Sequence, residues 1–480
     1  MAKSPASAAS AAAVEVTVHD LRRLLAEPDR AAAWGLAAGL ADPTTARRHL
    51  GELADLGLPD DLLAALLAAL AAQLPQTSDP ERVLVAVERF FIAVRSPLAT
   101  AALFQRDPRA LGILLAIFSA SPHLAEIVIA DPESWEEVRV GGGRPVGRDL
   151  LVAALDAELT PGIDQELAIR GLRRFRRREL LRIAYGDIVD GQRLETVVAQ
   201  LSLVADTIVA AALAQTLERQ ETLRGVPRGP TGERATLAVI ALGKLGGGEL
   251  NYSSDIDLVL VHSSDGKVDG ERPCTNQEFF ARVAQDLVRM LAESSDAGIG
   301  YRVDLRLRPH GGSGPLSMAR EEVLQYVDRQ GRTWERQAWV KARCVAGDMA
   351  LGKRLLAELE PSIYSRWLTR ADISGIQALK RRIERRAARE GAGAEDVKQG
   401  RGGIRDVEFT VQFLQLLNGG DTPRLRTGST LEAIRRLAES GVLTDQEREV
   451  LERTYSLLRT VEHRLQILHD RQTHSLPAGE

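Results

Sequence analysis

Residues 255–262 read Asp-Ile-Asp-Leu-Val-Leu-Val-His, and no other stretch narrows the fold as far. Leucine and valine run unbroken from 258 to 261, the pattern of a short strand buried on both faces. Side chains two apart on a strand point to the same side. Asp255 and Asp257 therefore stand next to each other at the start of an apolar strand. Two carboxylates so placed repel each other unless a cation lies between them. Their apolar flanks do not suit a solvated surface. The competing reading is a strand start at which aspartate caps a neighbouring turn.

The segment upstream sharpens the first reading. Residues 235–242 form a second short apolar run, followed at once by Gly243-Lys244-Leu245-Gly246-Gly247-Gly248. Glycines let a backbone approach an anion and leave N–H groups free to meet it. Gly243, Lys244, Gly247 and Gly248 are therefore candidate phosphate contacts, with Ser254 beside the dyad. A P-loop is excluded, because no Gly-Lys-Ser/Thr follows at the required spacing. Downstream, residues 301–308 alternate as Tyr-Arg-Val-Asp-Leu-Arg-Leu-Arg and predict a third strand. Arg302, Asp304, Arg306 and Arg308 then share one face. Asp304 is either one member of a surface ion-pair ladder or the third carboxylate of a metal site. Next to a DxD strand, the second is the better reading. Such oxygen ligands suit Mg²⁺ or Mn²⁺. Two ions roughly 3.5–4 Å apart stabilise both oxygens of an in-line displacement. Arg302 and Arg306 either neutralise phosphate charge or form plain ion pairs. A strand, a glycine-rich turn and a DxD strand in this order resemble the polymerase-β-like nucleotidyltransferases.

Around this module the chain reads as helix. Aromatics are 4% of the 480 residues, so the core is mainly Leu, Ala, Val and Ile. Residues 1–13 form a small-residue tail expected to be disordered. A helical region spans 14–230, with prolines 75, 80, 97, 108, 122 and 132 at its connections. Its stretch 166–185 is crowded with arginine, read as an ion-paired solvated face ahead of a phosphate-facing one. Residues 231–345 make the α/β domain, and 346–480 a C-terminal helical bundle. The expected fold class is thus mainly α with a small α/β nucleotidyltransferase domain inserted. Helical segments are predicted over 276–294, 321–330, 332–344, 373–390, 404–417, 431–441 and 445–469. Trp334, Arg336, Lys341 and Arg343 fall on the 332–344 helix, either closing over the site or packing through Trp334 and Trp339. The glycine-rich loop 391–403 leads into the 404–417 helix, whose N-terminus is a natural anion site. Arg401 and Arg405 are placed to reach phosphate there; otherwise the loop is a flexible turn and Arg405 pairs with Glu408.

The charge balance is −4, which makes no case for nucleic-acid binding. Cys274 and Cys344 are the two cysteines and form no CxxC pair, so neither a disulfide framework nor a zinc site is expected. A reducing cytoplasm fits that usage. No window reaches the roughly 18 apolar residues of a membrane span.

The motifs together resemble one family. Gly243 to Asn251 leading to Ser253-Ser254-Asp255-Ile256-Asp257-Leu258 is similar to a segment of the bacterial glutamine-synthetase adenylyltransferase/adenylyl-removase enzymes. So are Tyr301 to Pro309, Ser313-Gly314-Pro315-Leu316, Gln330 to Arg336, Val340 to Arg343, and Gly400 to Phe409. The resemblance covers roughly residues 90–470. It implies a nucleotidyltransferase that needs Mg²⁺ or Mn²⁺ on Asp255, Asp257 and Asp304. Its substrates would be phosphate, ADP or ATP, and glutamine synthetase carrying AMP on a tyrosine. The wording Glu-Leu-Asn before Ser-Ser-Asp-Ile-Asp, and the long helical N-terminal region, resemble the N-terminal half. That half removes AMP by phosphorolysis and releases ADP. One such module at about half the family's length implies a fragment of a longer protein. The resemblance adds the PII signalling protein and glutamine as effectors, with no residue here to place either. Phosphate is already an anion at neutral pH, so no general base is required. His262 and His310 near the site are read as structural or surface residues as readily as functional ones.

Three rivals stand beside this reading. The same carboxylates serve a forward adenylyltransferase. An RNA- or antibiotic-directed nucleotidyltransferase shares the motif, though the acidic balance weakens the RNA version. A silent helical scaffold with a nucleotidyltransferase fold would bind metal without turnover.

Overall fold

The computed structural model describes residues 16–159, 162–271, 273–294, 298–364, 396–469 and 473–476. The expected tail at 1–13 and the expected helix at 373–390 lie outside these residues. The chain divides into two compact units. One comprises residues 1–144, 184–192 and 467–469; the other comprises 145–183, 193–466 and 470–480.

In the first unit the prolines do more than punctuate. Pro80, Pro97, Pro108 and Pro122 each occupy the first turn of a helix, and the residue before each caps it. Asp79 accepts from the amide of Arg82, Ser96 from Ala99, Asp107 from Arg109 and Ser121 from Leu124. Proline suits that place because its missing N–H would be unsatisfied there anyway. The capping oxygen takes one of the remaining orphan amides, worth about 1 kcal/mol per helix. Between these helices Phe90, Phe91, Phe104 and Phe118 pack edge to face. Burying each contributes roughly 1.5–3 kcal/mol.

The second unit is built on a small mixed sheet. Its strands are β1 (Leu237–Leu242), β2 (Ile256–His262), β3 (Val303–Asp304), β4 (Ser317–Ala319) and β5 (Arg343–Gly347). β2 lies antiparallel to β1, which lies antiparallel to β5. Along its other edge β2 pairs in parallel with β3 near its start and with β4 near its end. β1 is buried at every position, and β2 at every position except Asp257. The reason is that helix Asn276–Ala292 packs on β2 and helix Met349–Ile363 on β1. A capping box of Thr275 and Glu278 starts the former.

Three sequence expectations are revised here. Residues 301–308 do not form one long strand; only Val303–Asp304 pairs. Beyond it the Arg308 guanidinium turns inward to the carbonyls of Leu305 (2.7 Å), Gly312 (3.0 Å), Gly314 (2.9 Å) and Pro315 (3.0 Å). Those bonds gather the chain into a turn, so Arg308 does not share a face with Arg302 and Arg306. The 332–344 helix ends at Trp339, and Arg343–Gly347 becomes β5. The edge of β1 would otherwise carry buried, unpaired backbone groups. Helix Leu194–Arg224, at 31 residues, is long and apolar enough by composition to cross a membrane, which was not expected. Its Val197, Leu201, Ile208 and Leu213 are buried within the protein.

The arginine-rich segment lies on helix Gln165–Ile188. Arg170 pairs with Glu166, Arg174 with Glu158 and Arg182 with Glu179, as an ion-paired face does. Arg176 is buried over the Tyr301 ring, and Arg173 is likewise an exception. It is 1% exposed and donates to the carbonyls of Met290 and Gly298 at 3.2 and 3.0 Å, closing the end of helix Asn276–Ala292. Helices Ile404–Asn418, Thr430–Glu439 and Asp445–His469 pack together around Val411, Leu425, Ile434, Leu437 and Tyr455.

Candidate active site

The sheet register brings the three aspartates together. Asp257 on β2 is the direct partner of Asp304 on β3, and Ile256 is the partner of Val303. Asp255 lies one residue before β2, so its side chain emerges on the same side as that of Asp257. Each outer carboxylate is held by an arginine. Asp255 takes Nε of Arg302 at 2.6 Å, and Arg302 also donates to the carbonyl of Ser253 at 2.8 Å. Asp304 takes Arg306 in a fork, at 2.6 Å from one guanidinium nitrogen and 2.9 Å from Nε. That arginine holds the Asp304 carboxyl below its usual range. Asp257 makes no ion pair among the described residues. Burial and its neighbours Asp304 and Asp255 push its carboxyl up to about 6.

Among the described residues no group of three or more His, Cys, Asp or Glu side chains is arranged to hold a metal ion. The chemistry of the three carboxylates is nonetheless of the kind that suits a divalent cation. The central carboxylate is half-buried, makes no ion pair among the described residues, and is destabilised by two like charges. A hard cation reached by oxygen ligands relieves all three conditions.

Directly over Asp257 runs the glycine turn. Gly243 opens a single helical turn, Gly243–Gly246, with φ +54°. A Cβ on Gly243 would stand 2.3 Å from Oδ2 of Asp257. The next glycines answer to other neighbours. Gly246 is pressed on the carbonyl of Lys341, and Gly247 on that of Gly428. Gly248 has φ +69° and open space around it.

The remaining expected phosphate contacts are placed as follows. Lys244 turns away to Glu462 at 2.8 Å, and burial draws its ammonium down to about 7. Lys341 is buried and bonded to Glu249 (2.8 Å), Glu408 (3.2 Å) and Thr430 (3.1 Å). Ser254 accepts from the amide of Asn251 within its own turn. Arg343, on β5, forks onto Asp206 and donates to the carbonyl of Leu245 at 2.8 Å, which pins the glycine turn to helix Leu194–Arg224. At the 404–417 helix, the amides of Ile404, Arg405 and Asp406 are already taken by the carbonyls of Val397, Lys398 and Gly403. The helix start therefore offers none of these amides to an anion. Arg401 is exposed and Arg405 half-buried, and neither makes a side-chain ion pair among the described residues. Glu408 is taken by Lys341 and not by Arg405. His262 bonds Ser317 at 2.9 Å and stacks on Phe280, while His310 packs on Tyr326.

Several groups escape the sequence reading. Glu249 joins Lys341, Thr430 and Tyr455 in a buried cluster. Arg459, 1% exposed, grips the carbonyl of Glu249 at 2.6 Å and Oδ1 of Asn251 at 2.5 Å, just ahead of the dyad. Glu462 lies between Lys244 and His474, the latter at 3.1 Å. Lys398 reaches His474 at 3.4 Å. No local spacing signals these contacts, because their partners are drawn from distant parts of the chain.

A family model described as glutamate-ammonia ligase adenylyltransferase matches residues 111–358. A second, described as GlnD PII-uridylyltransferase, matches residues 377–480. Among curated relatives are bifunctional glutamine synthetase adenylyltransferase/adenylyl-removing enzymes of three organisms. That of Thioalkalivibrio sulfidiphilus is 37% identical over 369 residues, covering 76% of this chain and 38% of the relative. That of Xanthomonas campestris pv. campestris is 42% identical, covering 67% and 34%. That of Xanthobacter autotrophicus is 39% identical, covering 87% and 43%. The chain thus spans less than half the length of these relatives.

Proposed function

Because the chain belongs to the glutamate-ammonia ligase adenylyltransferase family, we propose that it removes AMP from the adenylylated tyrosine of glutamine synthetase by phosphorolysis. The observation that carries the proposal is the pairing of Asp257 with Asp304 across β2 and β3, under Gly243. We read the sheet as polymerase-β-like on the same ground. The segment Glu249-Leu250-Asn251 before the dyad favours the removing half of the family over the adding half.

Asp255, Asp257 and Asp304 are the residues that would hold Mg²⁺ or Mn²⁺, in one or two ions. Such a cation supplies charge neutralisation at the phosphoryl oxygens. The chain's own residues do the rest. Gly243 lets the backbone of the turn come up against the Asp257 carboxylate without a clash. Arg302 and Arg306, each partly exposed, stand next to the carboxylates and meet phosphate oxygens from there. An oxygen of inorganic phosphate attacks the α-phosphorus in line. The bond from phosphorus to the tyrosine oxygen breaks, ADP forms, and the tyrosinate takes up a proton. Phosphate needs no base to act, so no histidine is assigned to that step.

The match of residues 377–480 to a PII-uridylyltransferase model supports the PII protein as a regulatory partner. A cytoplasmic location accords with the two unpaired cysteines.

The test is direct. The purified chain is incubated with AMP-modified glutamine synthetase, Mg²⁺ and phosphate, and ADP is followed, with Asp257→Asn as control. ADP that requires phosphate and vanishes in the variant is the expected result. AMP incorporation from ATP into unmodified target, with no ADP release, would replace the proposal by the forward transferase.

A further inference from the structure

Residues 249–255 join the glycine turn to β2 and belong to no helix or strand, yet 249–254 are all buried. A buried segment without a ladder must find its hydrogen-bond partners elsewhere. Much of what it finds lies on one face of helix Asp445–His469. Arg459, His463 and Gln466 stand at i, i+4 and i+7, so they share that face. They meet the segment in order along the chain. Arg459 donates to the carbonyl of Glu249 at 2.6 Å and to Oδ1 of Asn251 at 2.5 Å. His463 packs edge-on against the Tyr252 ring, with centroids 5.3 Å apart. Gln466, fully buried, accepts the amide of Ser253 through Oε1 at 3.2 Å.

The last contact bears on the carboxylates. Ser253 gives its carbonyl to Arg302 at 2.8 Å, and the same guanidinium holds Oδ1 of Asp255 at 2.6 Å. Direct hydrogen bonds thus lead from Gln466 through Ser253 and Arg302 to Asp255. Asp257 needs no such support, because it lies within β2 and pairs with Leu242 on one side and Asp304 on the other. Asp255 stands one residue outside that ladder, so its carboxylate is placed by Arg302 and by the segment ahead of it. A side-chain amide is also a costly group to bury where an apolar side chain would fill the same space. Its oxygen here serves the Ser253 amide.

We propose that Gln466 is a positioning residue for Asp255. By accepting the Ser253 amide it fixes the residue whose carbonyl anchors Arg302, and so sets where the Asp255 carboxylate stands for a divalent cation. Arg459 and His463 hold the preceding residues in line with it. The inference rests on the reading of the three carboxylates as a cation site.

Mn²⁺ binding to the metal-free chain is measured by calorimetry in wild type, Gln466→Met, Gln466→Glu and Leu451→Ala, well below their melting temperatures. Gln466→Met fills a similar space without the acceptor and should weaken Mn²⁺ binding about three- to tenfold, the contribution of one hydrogen bond. Gln466→Glu keeps an acceptor oxygen and should bind within about twofold of wild type. Leu451 packs against the core of the same helical bundle, so Leu451→Ala should melt lower yet bind Mn²⁺ as wild type does. With AMP-modified glutamine synthetase, Gln466→Met should lower kcat at fixed Mn²⁺ and leave the KM for that protein unchanged. Mn²⁺ binding unaltered in Gln466→Met would overturn the inference and leave the cation site standing. Equal weakening in Gln466→Glu or in Leu451→Ala would overturn it too, since general loosening would then account for the loss. A wild type that binds no Mn²⁺ would remove the cation site and the inference with it.

Discussion

Gly243 and Asp257 are packed so closely that a methyl group on the glycine would sit 2.3 Å from the aspartate's Oδ2. The backbone of the glycine turn thus forms one wall of the carboxylate cluster. That aspartate is the one half-buried position of an otherwise buried strand.

Gly243→Ala should therefore damage both site and fold. At φ +54° an alanine is strained by roughly 1–2 kcal/mol, before the clash with Asp257 is counted. A melting temperature lowered by several degrees, with ADP release down at least about tenfold, is expected by thermal denaturation and turnover assay. An alanine variant as stable and active as wild type would remove Gly243 from the site.

The carboxylates should act on stability in opposite senses with and without metal. Asp257→Asn removes a repulsive charge next to Asp255 and Asp304, so the metal-free variant should melt no lower than wild type. Mn²⁺ or Mg²⁺ should raise the melting point of the wild type and leave that of the variant unchanged. A wild type whose melting point ignores both ions would contradict the assignment of metal ligands.

Lys341 should prove a structural residue. It is buried with Glu249 and Glu408 against it, and these hold its ammonium above the ordinary range despite the burial. Lys341→Met leaves the two acids without their cation and should cost about 3–5 kcal/mol, read from denaturant unfolding. A loss of nucleotide binding with stability intact would instead restore it to the phosphate site.

His262 should make stability fall in mild acid. Burial pulls its imidazole down to about 4, while in the unfolded chain it titrates near 6.5. Between those values the unfolded state binds the proton and the native state does not. The contribution is complete above pH 6.5 and is lost as pH falls towards 4, by up to roughly 3 kcal/mol. Unfolding free energies at pH 7 and 5 should therefore differ less in His262→Gln than in wild type. Equal differences would place the acid sensitivity elsewhere.

Much of this architecture is legible in one dimension. The runs at 237–242 and 256–262 are visibly strands, because unbroken apolar sequence bounded by glycine and aspartate suits a sheet covered on both faces. Helices such as Asp445–His469 and Ile404–Asn418 follow from their periodicity and stops. The failures lie where tertiary contacts override local pattern. Tyr301 to Arg308 alternates like a strand, yet the Arg308 guanidinium finds four carbonyls in a turn and ends the pairing after two residues. The segment after Trp339 looks helical, yet the free edge of β1 recruits it as β5.

The sequence by itself determined that Asp255 and Asp257 lie on one side of a buried strand, because the side-chain period of a strand is local geometry. It also determined that a flexible glycine turn precedes them. The tertiary structure alone decided which charges serve the site and which serve the fold. Lys244 meets Glu462 across 218 residues of chain, and Lys341 meets Glu249 across 92. Lys398, three residues from Arg401 in the same loop, meets His474 across 76 residues. Burial makes an unpaired charge costly, so Lys244 and Lys341 each take a carboxylate that packing brings within a few ångströms. Sequence separation has no part in that choice.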